Sequence, residues 1–172
     1  LHNLFYRKRR GVPSITLNSR LVLVGTAILL LSGTFLFYAL EHSDTLAERS
    51  LGEQYLAAFF QSVTLRTAGF NTIPIGSLAT ATLLVMMLFM FIGAASGSTA
   101  GGIKINNVGI IWAYVSAVLR GGRKATIMRR TIEPDQINSA FLVLLFGVTA
   151  VFAGTILLTL SEAAPLEELL FE

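Results

Sequence analysis

Residues 59–73 read Phe-Phe-Gln-Ser-Val-Thr-Leu-Arg-Thr-Ala-Gly-Phe-Asn-Thr-Ile, a half-length apolar helix that ends in a Thr-x-Gly-aromatic turn. The chemistry open to such a turn is cation coordination by the main chain. Backbone carbonyls aimed at one axis can replace the water shell of an ion. Glycine permits it, because a residue without Cβ adopts the left-handed conformation that re-aims a carbonyl. Gly69, between Ala68 and Phe70, is the residue that can keep successive oxygens facing a pore. The plainer alternative is an ordinary turn after a core helix, and the flanking segments decide between the two.

Those flanks are hydrophobic enough to span a bilayer. Hydrophobic residues are 53% of the 172 and charged residues 13%, against about 25% charged in a typical soluble domain. The mean hydropathy is +0.69. Leu21–Leu40 and Ile137–Leu160 carry no charge over twenty and twenty-four residues, enough to cross a hydrocarbon core of about 30 Å at about 1.5 Å per residue. The first is too long for the apolar region of a cleaved signal, about 7–15 residues. There is no cysteine, and His2 and His42 lie far apart, so neither a disulfide nor a thiolate or paired-histidine metal site is expected.

Charge orders the topology. Arg7, Lys8, Arg9, Arg10 and Arg20 precede the first span, and Arg120, Arg123, Lys124, Arg129 and Arg130 precede the last, ten of the thirteen basic residues. The positive-inside rule places both segments in the cytoplasm. Glu41, Asp44, Glu48 and Glu53 follow the first span, and Glu162, Glu167, Glu168 and Glu172 follow the last, so these face outward. The isoelectric point near 9.6 is then explained by topology and anionic lipid headgroups, at about 1 kcal/mol per basic residue, and nucleic acid is not needed as a partner.

Residues 41–119 must therefore cross once, although they hold two apolar pieces. Gly52–Thr64, thirteen residues, makes a helix of about 20 Å that can reach mid-bilayer but not span. It must dip in and return, its negative dipole end favouring a cation. Tyr55, Leu56, Phe59, Phe60 and Val63 recur at helical spacing and predict a face packed against neighbouring helices. Ala79–Leu119 would reach about 60 Å as one helix, so it must break. The break is Gly93–Gly102, where all ten residues are Gly, Ala, Ser or Thr. A loop there needs a cavity or protein around it, and a small-residue packing face on Gly93, Gly97 and Gly101 is the alternative. A phosphate loop is excluded because Ile103 occupies the lysine position. Lys104 is the sole charge between Arg66 and Arg120, a functional candidate unless it snorkels to the cytoplasm.

These motifs taken together, Val63-Thr64-Leu65-Arg66-Thr67-Ala68-Gly69-Phe70-Asn71-Thr72 and Gly97-Ser98-Thr99-Ala100-Gly101-Gly102-Ile103-Lys104, resemble the membrane subunits of the Trk/Ktr/HKT superfamily of potassium transporters. The likeness is to the third of four pore repeats and the start of the fourth, nearer the Ktr branch. It implies that Thr67, Ala68, Gly69 and Phe70 carry the filter, and that Gly97, Ser98, Thr99, Ala100, Gly101, Gly102 and Lys104 belong to an intramembrane gating loop. Potassium would pass on filter backbone alone, with Na⁺ as a candidate modulator and no bound cofactor. The implied partners are the remaining repeats, a second copy in a homodimer, membrane lipids and a cytoplasmic nucleotide-binding regulatory ring.

The expected fold is an all-α membrane protein of the plasma membrane. It has a cytoplasmic tail (1–20), a pore repeat (21–119) and a mobile cationic loop (120–136). The repeat comprises a span (21–40), a pore helix and filter (52–72) and a broken span (79–119). A further span (137–160) and the extracellular start of another pore helix (161–172) follow. With one repeat where the family has four, the chain is expected to be a fragment that cannot form a pore alone. Two other functions compete, a secondary transporter with a broken-helix substrate site and a non-conducting scaffold. Neither needs a re-entrant Thr-Ala-Gly-Phe turn. No nucleophile, base and acid fall within one segment, so enzymatic chemistry is not expected.

Overall fold

The computed structural model describes residues 16–93, 95, 98–122, 124–128, 130–162 and 166–171. The basic run Arg7–Arg10, together with Gly97, Arg123, Arg129, Pro165 and Glu172, lies outside the described residues. Among the described residues the order is α1 (Leu17–Glu41), α2 (Leu51–Thr64), a single 3₁₀ turn (Ile75–Ser77), α3 (Thr80–Phe91), α4 (Ile105–Leu119), β1 (Thr126–Ile127), β2 (Arg130–Thr131), α5 (Pro134–Ser161) and α6 (Leu166–Phe171).

α1 and α5 are the two described helices long and apolar enough to cross a membrane. Their 25 and 28 residues correspond to about 37 and 42 Å. The starts have local causes. Thr16 caps α1, its Oγ1 accepting the Ser19 N–H at 3.2 Å, and Pro134 opens α5 where a missing N–H costs nothing. α3 and α4, of 12 and 15 residues, are each about 18–23 Å long and fall short of a crossing.

The packing of α2 runs opposite to the expectation from its apolar spacing. Tyr55, Leu56, Phe59, Phe60 and Val63 are exposed, whereas Gln54, Ala57, Ala58, Gln61, Ser62 and Thr64 are buried. Small and polar side chains let helices approach closely, which substitutes in lipid for the hydrophobic drive of water. Ser62 Oγ donates to Leu30 O on α1 at 3.0 Å. A Cβ built on Gly33 would fall 2.4 Å from that same hydroxyl, so the contact requires glycine. Phe37, Leu46, Ala57, Ala58, Leu65, Ile73, Leu78 and Met86 form the buried cluster around this junction.

The basic segment after α4 is not an open linker. β1 and β2 pair antiparallel, Thr126 with Thr131 and Ile127 with Arg130, and the Ile132 N–H closes the hairpin on Ala125 O at 3.0 Å. Ala125 and Ile132 are buried, and β1 packs on α4.

Candidate functional site

α2 hands its C-terminus directly to the Thr-x-Gly turn. Leu65 N–H bonds Gln61 O at 3.2 Å and Ala68 N–H bonds Thr64 O at 3.1 Å, so the helical ladder feeds the turn without a break. The backbone then leaves ordinary space twice. Gly69 has φ +77°, and Thr67 has φ +61°, a genuine outlier for a β-branched residue. Such strain persists where the surrounding structure over-determines it.

Thr64 is the device that holds it. Its Oγ1 donates to Phe70 O at 2.6 Å and accepts the Phe70 N–H at 3.0 Å, closing the five intervening residues into a loop pinned at both main-chain atoms. Thr64 stands inside the sequence motif, yet its spacing of six from Phe70 matches no helical period, and the segment between them is not a strand. No rule of periodicity singles it out. Arg66 turns away towards α1, where Nη2 reaches Thr26 O at 3.5 Å.

The small-residue segment is not helical at its described positions. Ile92 and Ile103 form a parallel bridge. Gly93 N–H bonds Ile103 O and Ile103 N–H bonds Phe91 O, both at 2.8 Å, which clasps the segment at its base. The glycines are needed there. A Cβ on Gly93 would lie 1.9 Å from Gly101 O, and one on Gly102, at φ +73°, would lie 2.7 Å from Phe91 O. Lys104 precedes the first turn of α4 and folds back, its Nζ donating to Ser98 O at 3.1 Å and to Ala100 O. Ser98 Oγ accepts the Ala100 N–H at 3.1 Å. An ammonium bonded to carbonyls of its own loop braces that loop.

The two candidate elements lie side by side. A Cβ placed on Gly101 would come within 3.6 Å of Thr67 Cγ2, ordinary van der Waals contact. Thr67 and Gly69, with Thr64, Leu65 and Asn71, also line a cavity of about 260 Å³ whose far wall is Met86 and Met90 of α3 and Phe171 of α6. The structure thus brings together Thr67, Gly69 and Gly101, with Lys104 bonded to Ala100 and Ser98. Phe70 is 71% exposed, pointing away from the packed side.

At the start of α2, Ser50 and Glu53 make the reciprocal half of a capping box that the Ser-x-x-Glu spacing could have signalled. The Ser50 hydroxyl, then its N–H, hold the exposed Glu53 carboxyl below the ordinary carboxylate range.

Long apolar helices flanking a half-length helix and a clasped glycine segment define the class, a mostly helical membrane protein with irregular backbone between its helices. Residues 15–172 match the TrkH family of cation transport proteins, and the chain belongs to that family, one of transporters and not of enzymes. It is 38% identical over 167 residues to Ktr system potassium uptake protein B of Bacillus subtilis, covering 96% of this chain and 38% of that protein. It is 32% identical over 166 residues to the protein of the same name from Vibrio alginolyticus, covering 95% and 36%. Against the potassium/sodium uptake protein NtpJ of Enterococcus hirae the identity is 35% over 166 residues, covering 94% and 37%. The chain therefore spans between 36% and 38% of the length of these relatives.

Proposed function

We propose that this chain supplies one filter turn and one intramembrane gating loop to the conducting subunit of a potassium uptake system. The observation that carries the reading is the closeness of Gly101 to Thr67, such that a Cβ built on the glycine would touch the threonine methyl. It sets a clasped loop of small residues against a strained Thr-Ala-Gly-Phe turn, the juxtaposition a gate beneath a filter requires. The names of the relatives support potassium as the ion. Thr67, Ala68, Gly69 and Phe70 offer their carbonyls to it. Gly97 to Gly102 and Lys104 obstruct the path until the loop moves. The basic segments 7–20 and 120–136 lie in the cytoplasm and meet a nucleotide-binding regulatory ring, α1 runs outward, and the subunit works as a homodimer in the plasma membrane.

The test is uptake by the full-length gene product carrying this chain, in cells lacking their own potassium uptake. Gly69→Ser is the informative variant, because an added Cβ meets nothing within 4 Å and the cost is backbone strain alone, about 1–2 kcal/mol. Membrane abundance should hold while preference for K⁺ over Na⁺ falls several-fold. Unchanged affinity and selectivity would reject the filter assignment and leave the scaffold or the broken-helix transporter.

A further inference from the structure

We propose that Glu41 is a positioning residue for the ion pathway, a clasp that fixes α3, and through α3 the wall behind the filter turn. The proposal rests on the filter reading above.

By sequence Glu41 belongs with the acidic residues of the outward loop. The fold instead buries its side chain completely, 0% exposed. Its Oε1 accepts the Ala79 N–H at 3.1 Å and the Thr82 hydroxyl, and its Oε2 accepts the Thr45 hydroxyl. Ala79 is the residue preceding α3 and has no side chain able to cap it. The first N–H groups of a helix have no partners within it, and an anion is favoured at that positive end. Glu41 supplies both from 38 residues upstream, so α1 ends on the carboxylate that starts α3.

Everything between these two points, α2 and the whole Thr-x-Gly turn included, is a loop closed by that one carboxylate. Within it Arg49 Nη2 ties to Thr72 O at 3.2 Å, and Gln54 Nε2 ties to Leu46 O at 2.9 Å. The route to the turn is short. Thr82, also 0% exposed, lies one helical turn before Met86, 2% exposed. Residues four apart share a helix face. Met86 and the next on that face, Met90, wall the cavity lined by Thr64, Thr67 and Gly69. A shift of α3 at Glu41 thus moves the wall that the strained turn faces across that cavity, and a charge-assisted bond holds such a wall better than a neutral one.

The experiment measures K⁺ uptake and Na⁺ competition by the full-length gene product with Glu41→Gln, Glu41→Asp, Thr82→Val and the Glu41→Gln/Thr82→Val pair, each normalised to membrane abundance. Glu41→Gln removes the charge and keeps the shape. It should raise the apparent KM for K⁺ roughly tenfold, as expected when support behind a site is loosened, and admit more Na⁺. Thr82→Val should shift both in the same direction by less, and the pair should be no worse than Glu41→Gln alone. Glu41→Asp, one methylene short, should fall between Glu41→Gln and wild type. If Glu41→Gln does not reach the membrane, Thr82→Val decides. Wild-type KM and selectivity, with only abundance or thermal stability reduced, would overturn the proposal and make Glu41 a structural cap. Gly69→Ser in the same assay separates the two readings. If it relaxes selectivity while the Glu41 and Thr82 variants do not, the clasp fails alone. If it too is silent, the filter reading fails.

Discussion

Thr64 shows how much of the turn depends on one oxygen. Its hydroxyl is both donor and acceptor to the main chain of Phe70, and the residue is only 7% exposed. Valine has the same shape and neither function. Thr64→Val removes both of its bonds to the Phe70 main chain, a net loss of about 0.5–1.5 kcal/mol for each. With the clamp gone, Thr67 has less reason to stay at φ +61°, and the turn should relax towards unstrained backbone. The expected outcome is near-normal insertion, K⁺ uptake reduced at least several-fold and weaker discrimination against Na⁺, read by tracer uptake. Thr64→Ser, which keeps the oxygen, should recover most of the loss.

At the scale of elements, the break between α3 and α4 is a helix interrupted by an insertion. Ile103 N–H already bonds Phe91 O. Deleting Ala94 to Gly101 would put Ile103 four positions after Phe91 in sequence, the spacing of an ordinary α-helical bond. The shortened chain can therefore fuse α3 and α4 into one continuous helix without rebuilding the clasp. Thr67 would lose Gly101 as a neighbour, and the braces of Lys104 on Ser98 and Ala100 would vanish. The expected result is potassium flux raised several-fold, with membrane abundance retained. Equal or lower flux from a normally folded deletion would make the segment packing material between helices.

For the molecule as a whole, the basic hairpin is the handle nearest the segment proposed as a gate. β1 packs on α4, and α4 begins immediately after Lys104. A partner that pulls on β1–β2 acts on the gating segment through the 15 residues of one helix. Neutralising Arg123, Lys124, Arg129 and Arg130 together should abolish nucleotide-controlled flux while insertion and topology are preserved. The interaction should weaken with salt, as the screening length falls from about 10 Å at 0.1 M to about 3 Å at 1 M. Failed or inverted insertion with regulation intact would leave these charges only their role in orientation. Elsewhere α5 exposes Phe146, Phe152 and Leu160, apolar surface suited to lipid or to the rest of the transporter.

Hydropathy in the sequence determines where the two long apolar helices lie and that the helix between them, α2, is only half their length. Gly69 is legible too, because a left-handed turn restricts the residue type at a single position. So is the break at Gly93–Gly102, since a run of ten small residues cannot stay helical cheaply. What only the tertiary structure decided is which face of each helix is inward and what meets across the fold. Among the described residues Tyr55, Phe59 and Val63 stay exposed while the small residues Ala57, Ala58 and Ser62 make the contact, so apolar spacing alone does not mark the packed side of α2. The meetings of Gly101 with Thr67 and of Glu41 with Ala79 join residues more than thirty positions apart. They depend on the register between helices, which is set by close packing at glycine and by buried hydrogen bonds, and no local pattern in the chain encodes it.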